Sequence, residues 1–450
     1  MVISFLLLFY LLYRYEIVFP EKNLIYIKLY KFCGILIVLS IVTFFLKENI
    51  KDYLIISLIS IAISLYIFEG YLTLKHDKLK ISNTSLYKSQ TLKAQLYKKK
   101  TGKIYDTRSL FKIYDDLKKI DRNITTVVPI KYYFGQEKNF LLPLSGVSNS
   151  KTIHCNENGY YTIYKSDRYG FNNPDEEWDK KEIEYLLVGD SYTHGECVNR
   201  PNDIASVLRT LSKKSALNLG FDGNGPLLEY ATLREYLNPN VKNVLWIYFE
   251  GNDLDELNVE LNEIRLQNYL NDLTFTQNLR VKQNKIDQFA NAMILDELPV
   301  NEYKEVTEKG KKKKEKKEEK KNNSLLNLKN FITISKVRYL LLKPRPKRPQ
   351  LTKFKETLKL TKNLVNENNS KLYFIYLPEY FRYKIKYNNS NYLSVKKIVN
   401  KLGITFIDIN EEVFKKELAP LKLFPHETFG HYNVMGYKKV AETIYKLTKY

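Results

Sequence analysis

Residues 183–195 read IEYLLVGDSYTHG. Ile183–Val188 is a short apolar run of strand length, and Gly189-Asp190-Ser191 ends it abruptly. A serine on a tight turn from strand into helix is exposed and stands close to a helix N-terminus. Its own backbone N–H can then help to hold an oxyanion. Working outward, the pattern of apolar run followed by helix-like segment repeats. Asp203–Leu211 reads as a helix, Ala216–Phe221 as a second strand and Leu227–Tyr236 as a helix. Val241–Phe249 is a third strand. A helix-like 353–367 precedes the strand Lys371–Leu377, and a helix-like 391–401 precedes Ile404–Ile409. A last helix covers 434–448. Strands alternating with helices predict an α/β fold, a parallel sheet with helices on both faces. Such sheets place their sites at the carboxyl ends of the strands.

The strand ends carry the polar clusters. The second strand runs into Asn218-Leu219-Gly220-Phe221-Asp222-Gly223-Asn224-Gly225, where glycine lets the backbone approach a substrate and offer an N–H. The third runs into Glu250-Gly251-Asn252-Asp253, and an asparagine amide is a good oxyanion donor. A serine nucleophile also needs a base. His431, in Gly430-His431-Tyr432-Asn433 just before the last helix, can take its proton and return it to the leaving group.

The order GDSYTHG, NLGFDGNG, EGND and a C-terminal GHYN resembles the SGNH (GDSL-type) hydrolase family over about residues 182–450. The resemblance implies a flavodoxin-like three-layer α/β/α fold with a five-stranded parallel sheet in the order 2-1-3-4-5. It implies Ser191 as nucleophile, His431 as base, and an oxyanion hole made by the Ser191 N–H, Gly223 and Asn252. It implies ester chemistry, hydrolysis or acyl transfer, on acylated glycans or lipids; no cofactor and no metal are expected. The chain departs from the family at one position. The aspartate expected three residues before the histidine is Thr428. Glu427 beside it is the first candidate for the orienting acid, Asp408 a remoter one, and a backbone carbonyl in a Ser-His dyad the third. That departure also feeds a reading from another class, a non-catalytic membrane scaffold or glycan-binding protein that retains the fold.

Cys155 and Cys197 are candidates for a disulfide, which would require an oxidising compartment. Two free thiols are the other reading. Zinc on the pairs His154-Cys155 and His194…Cys197 is a third, although the spacing matches no compact zinc module.

Residues 1–13 are uncharged, as are 32–46 (FCGILIVLSIVTFFL) and 53–68 (YLIISLISIAISLYIF). A span takes about 20 residues, so two or three transmembrane helices are expected, with the lipid bilayer as a partner. No basic residue precedes the first run and no small-residue cleavage site follows it, which argues against a signal peptide. The basic loops between the runs favour a cytoplasmic catalytic domain and the cysteine pair an extracytoplasmic one; the expectation adopted is extracytoplasmic. The domains expected are an anchor at 1–72, a polar linker and extension at 73–181, and the hydrolase domain at 182–450. A helical and low-complexity insertion interrupts the last at about 254–350. The chain has 72 Lys+Arg against 50 Asp+Glu. Ten Lys and five Glu between Lys304 and Lys321 supply five of the 22 surplus charges. The rest is spread along the chain, no nucleic-acid-binding motif is present, and no nucleic-acid partner is expected.

Overall fold

The computed structural model describes residues 2–13, 24–83, 85–136, 141–295, 331–335, 337–338, 349–385, 387, 389 and 391–449. The Lys/Glu run at 304–321 and the Pro-basic stretch at 343–348 lie outside these. So do Arg14, Glu16 and Lys22 of the first basic loop. The chain divides into two compact units, residues 1–82 with 317–344 and residues 83–316 with 345–450.

In the first unit, Val2–Tyr13, Leu24–Phe44 and all but the last residue of Glu48–Asn83 are helical. Glu48–Leu72, 25 residues, is long and apolar enough to cross a membrane, and Tyr30–Phe44 is a shorter apolar helix. Val2–Tyr13 has 12 residues, which reach about 18 Å against a hydrocarbon core of about 30 Å. Of the two or three spans expected, one therefore meets the length requirement among the described residues. Its side chains are mostly exposed, Ile56, Leu58 and Ile67 by 60% or more.

The second unit holds two sheets. Strands β1 (Ile124–Thr126), β2 (Lys151–Ile153) and β3 (Ile163–Lys165) form a small one in the order β1-β2-β3, with β1 and β2 parallel and β2 and β3 antiparallel. Strands β4 (Ile183–Gly189), β5 (Ala216–Asn218), β6 (Val241–Phe249), β7 (Lys371–Leu377) and β8 (Thr405–Asp408) form a parallel sheet in the order β5-β4-β6-β7-β8. Relabelled from the first of its strands, that is 2-1-3-4-5. Helices pack on both faces: Pro226–Tyr236 and Leu351–Glu367 on one, Ile204–Ser212 and Val434–Thr448 on the other. Both faces of the central strands are therefore buried, which is why β4, β6 and β7 read as nearly continuous apolar runs. Each fully buried Leu, Val or Ile there contributes about 1.5–3 kcal/mol.

β5 ends earlier than the apolar run suggests, although the chain stays beside β4. Leu219 N–H donates to the Leu187 carbonyl at 2.8 Å and Phe221 N–H to the Gly189 carbonyl at 3.2 Å, while Gly220 N–H turns to the Asn218 side-chain oxygen at 2.9 Å. The segment expected as a linker also contributes to the main core, through Ile130, Tyr133, Leu142, Leu144, Phe171 and Trp178. The insertion begins with helices Asp253–Glu260 and Ile264–Asn271 and a third at 283–295.

Candidate active site

β4 delivers Ser191 to the first residue of a four-residue helix, Ser191–His194, capped by Asp190, whose side chain accepts from Tyr192 N–H at 2.9 Å. From the far end of the chain, the loop before Val434–Thr448 brings His431. Ser191 Oγ lies 3.0 Å from His431 Nε2. The imidazole rests on Tyr192, ring centroids 4.7 Å apart, and Tyr192 stacks in turn on Phe249 of β6 at 4.1 Å.

The acid at this histidine comes from none of the expected positions. Glu427 pairs with Lys100 at 3.5 Å. The Thr428 hydroxyl donates to the Pro425 carbonyl within its own turn. Asp408 caps a short helix and accepts from Tyr392. The carboxylate that faces His431 Nδ1 is Glu157, from the loop between β2 and β3. Its Oε2 is 3.5 Å from Nδ1, an ion-pair distance, and accepts the His431 backbone N–H at 2.7 Å. A Cβ on Gly430 would lie 2.5 Å from that same oxygen, so glycine at 430 is what allows the approach. A second carboxylate faces the other ring nitrogen: Glu196 Oε2 is 3.1 Å from Nε2.

These charges set the protonation states. Burial pulls the His431 imidazolium down, but Glu196 and Glu157 outweigh it and push its pKa up to about 10. Burial works against ionised Glu157 too, yet His431 and Lys93 hold its carboxyl at about 2. Glu196 gains less and burial raises it to about 7. Asp190, also buried, is likewise raised to about 7. The two glutamates thus differ although they share one partner, because Glu157 also takes a backbone N–H and has Lys93 at 3.7 Å.

The donors proposed for an oxyanion are open. Among the described residues, neither the Ser191 nor the Gly223 N–H has an acceptor. Gly223 has φ +71°, a left-handed conformation that favours glycine. Asn252 stands at the N-cap of Asp253–Glu260, yet its side chain makes no capping bond. Its amide is therefore not spent on the helix end.

Cys155 and Cys197 form a disulfide with Cα atoms 5.1 Å apart. Around it the chain is nearly symmetric. Residues 154–157 (HCNE) and 194–197 (HGEC) each supply one cysteine to the bond, one glutamate to His431 and one histidine to Asp222. His154 Nε2 and His194 Nδ1 both meet Asp222 at 2.9 Å, and His194 Nε2 meets the Tyr164 hydroxyl at 2.9 Å. Burial disfavours the Asp222 carboxylate, but the two imidazoles hold it well below the usual range. His154, His194 and Asp222 bring ligand-type atoms within 4.8 Å of one another. These atoms already satisfy each other, and Asp222 fixes the loop that presents Gly223.

Glu157 and Glu196 escaped sequence reading because neither lies in a strand-end motif. The available signal was the cysteine pair, since each glutamate lies within two residues of a bridged cysteine.

No protein-family model matches the chain, and no curated protein matches it. Several solved structures are similar, among them the following two. One is of a protein of the lipolytic G-D-S-L family from Desulfitobacterium hafniense DCB-2, at 12% identity and a TM-score of 0.31, covering 59% of this chain and 99% of that one. The other is an acetyl xylan esterase, at 11% identity and a TM-score of 0.32, with the same coverages, 59% and 99%. At these scores the likeness carries no weight for activity, and the chemistry has to be read from the residues themselves.

Proposed function

We propose that the chain is a membrane-attached serine esterase or O-acyltransferase that acts on an acyl ester of cell-envelope carbohydrate. The observation that carries this reading is the 3.0 Å contact between Ser191 Oγ and His431 Nε2 at the carboxyl end of β4. In the neutral form His431 takes the serine proton as Oγ attacks the acyl carbon. The oxyanion is met by the Ser191 and Gly223 N–H groups and the Asn252 amide, and the protonated ring then gives its proton to the departing alcohol. Glu157 holds the His431 backbone N–H and faces Nδ1 as an ion-pair partner at 3.5 Å, placed to stabilise the imidazolium.

The reading as a non-catalytic scaffold rested on the missing aspartate, and Glu157, 3.5 Å from Nδ1, offers a carboxylate in its place. The disulfide favours an extracytoplasmic domain, with Glu48–Leu72 as the anchor. The stacked rings of Phe381 and Phe429, 5.1 Å apart and partly exposed just ahead of His431, offer an apolar surface to a sugar ring. The test is a fluorophosphonate probe on the detergent-solubilised protein. Labelling is expected in the wild type and lost in Ser191→Ala; no labelling of the wild type overturns the reading.

A further inference from the structure

Glu157 accounts for the Nδ1 side of His431. Glu196 is on the other side, and an orienting acid has no business there. Its Oε2 is 3.1 Å from Nε2, the same nitrogen that Ser191 Oγ meets at 3.0 Å. Nε2 is the working nitrogen. It receives the serine proton and delivers a proton to the leaving oxygen, so the leaving oxygen has to come within hydrogen-bond reach of it. An incoming acceptor oxygen has to do the same in the second half of the reaction. Glu196 therefore flanks the place where the alcohol half of the ester arrives and departs.

The chemistry of that place is narrow. In the alkaline range, where His431 becomes the neutral base, Glu196 and Asp190 are above their raised values of about 7 and ionised, and an ionised carboxylate only accepts hydrogen bonds. Asp190 lies close by, with the Ser191 hydroxyl 3.4 Å from its Oδ2, and Glu157 lies across the ring. An anionic leaving group would be repelled by all three. A purely apolar one would strip water from Glu196 and give nothing back. The side chain is 18% exposed, so it is open to a ligand. Its backbone is pinned: Glu196 N–H donates to the Ser191 carbonyl, the Tyr437 hydroxyl donates to the Glu196 carbonyl, and Cys197 is cross-linked.

We propose that Glu196 binds the alcohol half of the substrate and that this alcohol is a polyol, whose hydroxyl next to the ester-bearing carbon donates to the Glu196 carboxylate. The inference rests on the reading of Ser191 and His431 as nucleophile and base. In the balanced step, the bond from Ser191 Oγ to the acyl carbon forms and the serine proton moves to Nε2. The acyl C–O bond then breaks and the alcohol oxygen takes that proton. Glu196 stays ionised throughout and holds the neighbouring hydroxyl. The acyl-enzyme is released by water or by a second hydroxyl compound seated in the same way. A hydroxyl on Glu196 also loosens its hold on the imidazolium and helps to free the base.

The test uses two esters that differ by one hydroxyl, cyclohexyl acetate and trans-2-hydroxycyclohexyl acetate, with the full-length solubilised protein. The readout is the ratio of their kcat/KM values. Wild type is expected to favour the hydroxy ester. Glu196→Ala should lower that ratio about 10–100-fold, the worth of one hydrogen bond to a charged group. Glu196→Gln, which still offers a carbonyl oxygen, should lose less and carries the comparison if the alanine variant fails to fold. An unchanged ratio in both variants overturns the proposal, and so does a wild type that shows no preference. A protein that the fluorophosphonate probe does not label fails at the earlier reading instead, so the two failures are distinguishable.

Discussion

The five-stranded and the three-stranded sheets hold their polar residues by different means. β4, β5 and β6 are locked in parallel register and covered on both faces, and their tips carry Ser191, Gly223 and Asn252 on short, backbone-determined turns. β2 and β3 are three residues each, too short to position anything by their ladder alone. The loop between them is held by side chains: the Cys155–Cys197 bond, His154 on Asp222, and Glu157 on the His431 N–H. One region is placed by the fold, and the other is tied to it. The proposed nucleophile and oxyanion donors belong to the first kind, and the carboxylate at the histidine to the second.

Three substitutions bear on that difference. Glu157→Gln should have the largest effect among them, because loss of an orienting acid costs up to about 10⁴ in turnover; the 3.5 Å contact at Nδ1 suggests a fall of about 10²–10⁴. The pH profile should move with it. The groups facing His431 are Glu157, Glu196 and Asp190, with Lys93 behind Glu157 and His154 near Glu196. With the imidazolium held up at about 10, the neutral base forms only as pH rises, so kcat/KM should climb through the alkaline range. Removing one carboxylate lowers that pKa and shifts the climb to lower pH. A variant with full turnover and an unmoved profile would break the assignment.

Asn252→Ala should cost about 10²–10³ in kcat, or about 2.7–4 kcal/mol, with KM little changed, because an oxyanion donor acts in the transition state. A KM effect alone would make Asn252 a binding residue. The smallest effect on the chemical step is expected from Cys155→Ser with Cys197→Ser. Opening a loop of 42 residues should lower stability by about 4 kcal/mol on chain-entropy grounds. Turnover per folded molecule, compared below the denaturation midpoint, should fall less than about tenfold if His154 and the His431 N–H still hold the loop. A larger fall would mean that the covalent tie alone places Glu157.

The strand-and-helix alternation after residue 182 was legible because doubly covered strands must be apolar throughout, and the turn residues Gly189 and Gly220 mark where they stop. Ser191 and His431 were legible because each sits at a break between such elements. Glu157 was not, for a physical reason. Its position depends on a disulfide 42 residues long in sequence, on a glycine at 430 that leaves room, and on Lys93 from a helix far upstream. None of these leaves a periodic trace. Glu427 was the natural guess from proximity in sequence, but the backbone there, with φ +53° at His426 and +60° at Glu427, sends its carboxylate to Lys100.

The clamp built by residues 154–157 bears on where this chain can be cut. A fragment starting at residue 182 would keep every strand of the parallel sheet, the serine and the histidine. It would lose the carboxylate beside Nδ1, one of the two imidazoles on Asp222 and half of the cross-link. A fragment meant to keep the proposed site therefore starts no later than β2, and a cut at the edge of the large sheet would leave a well-packed chain without the carboxylate that faces His431 Nδ1.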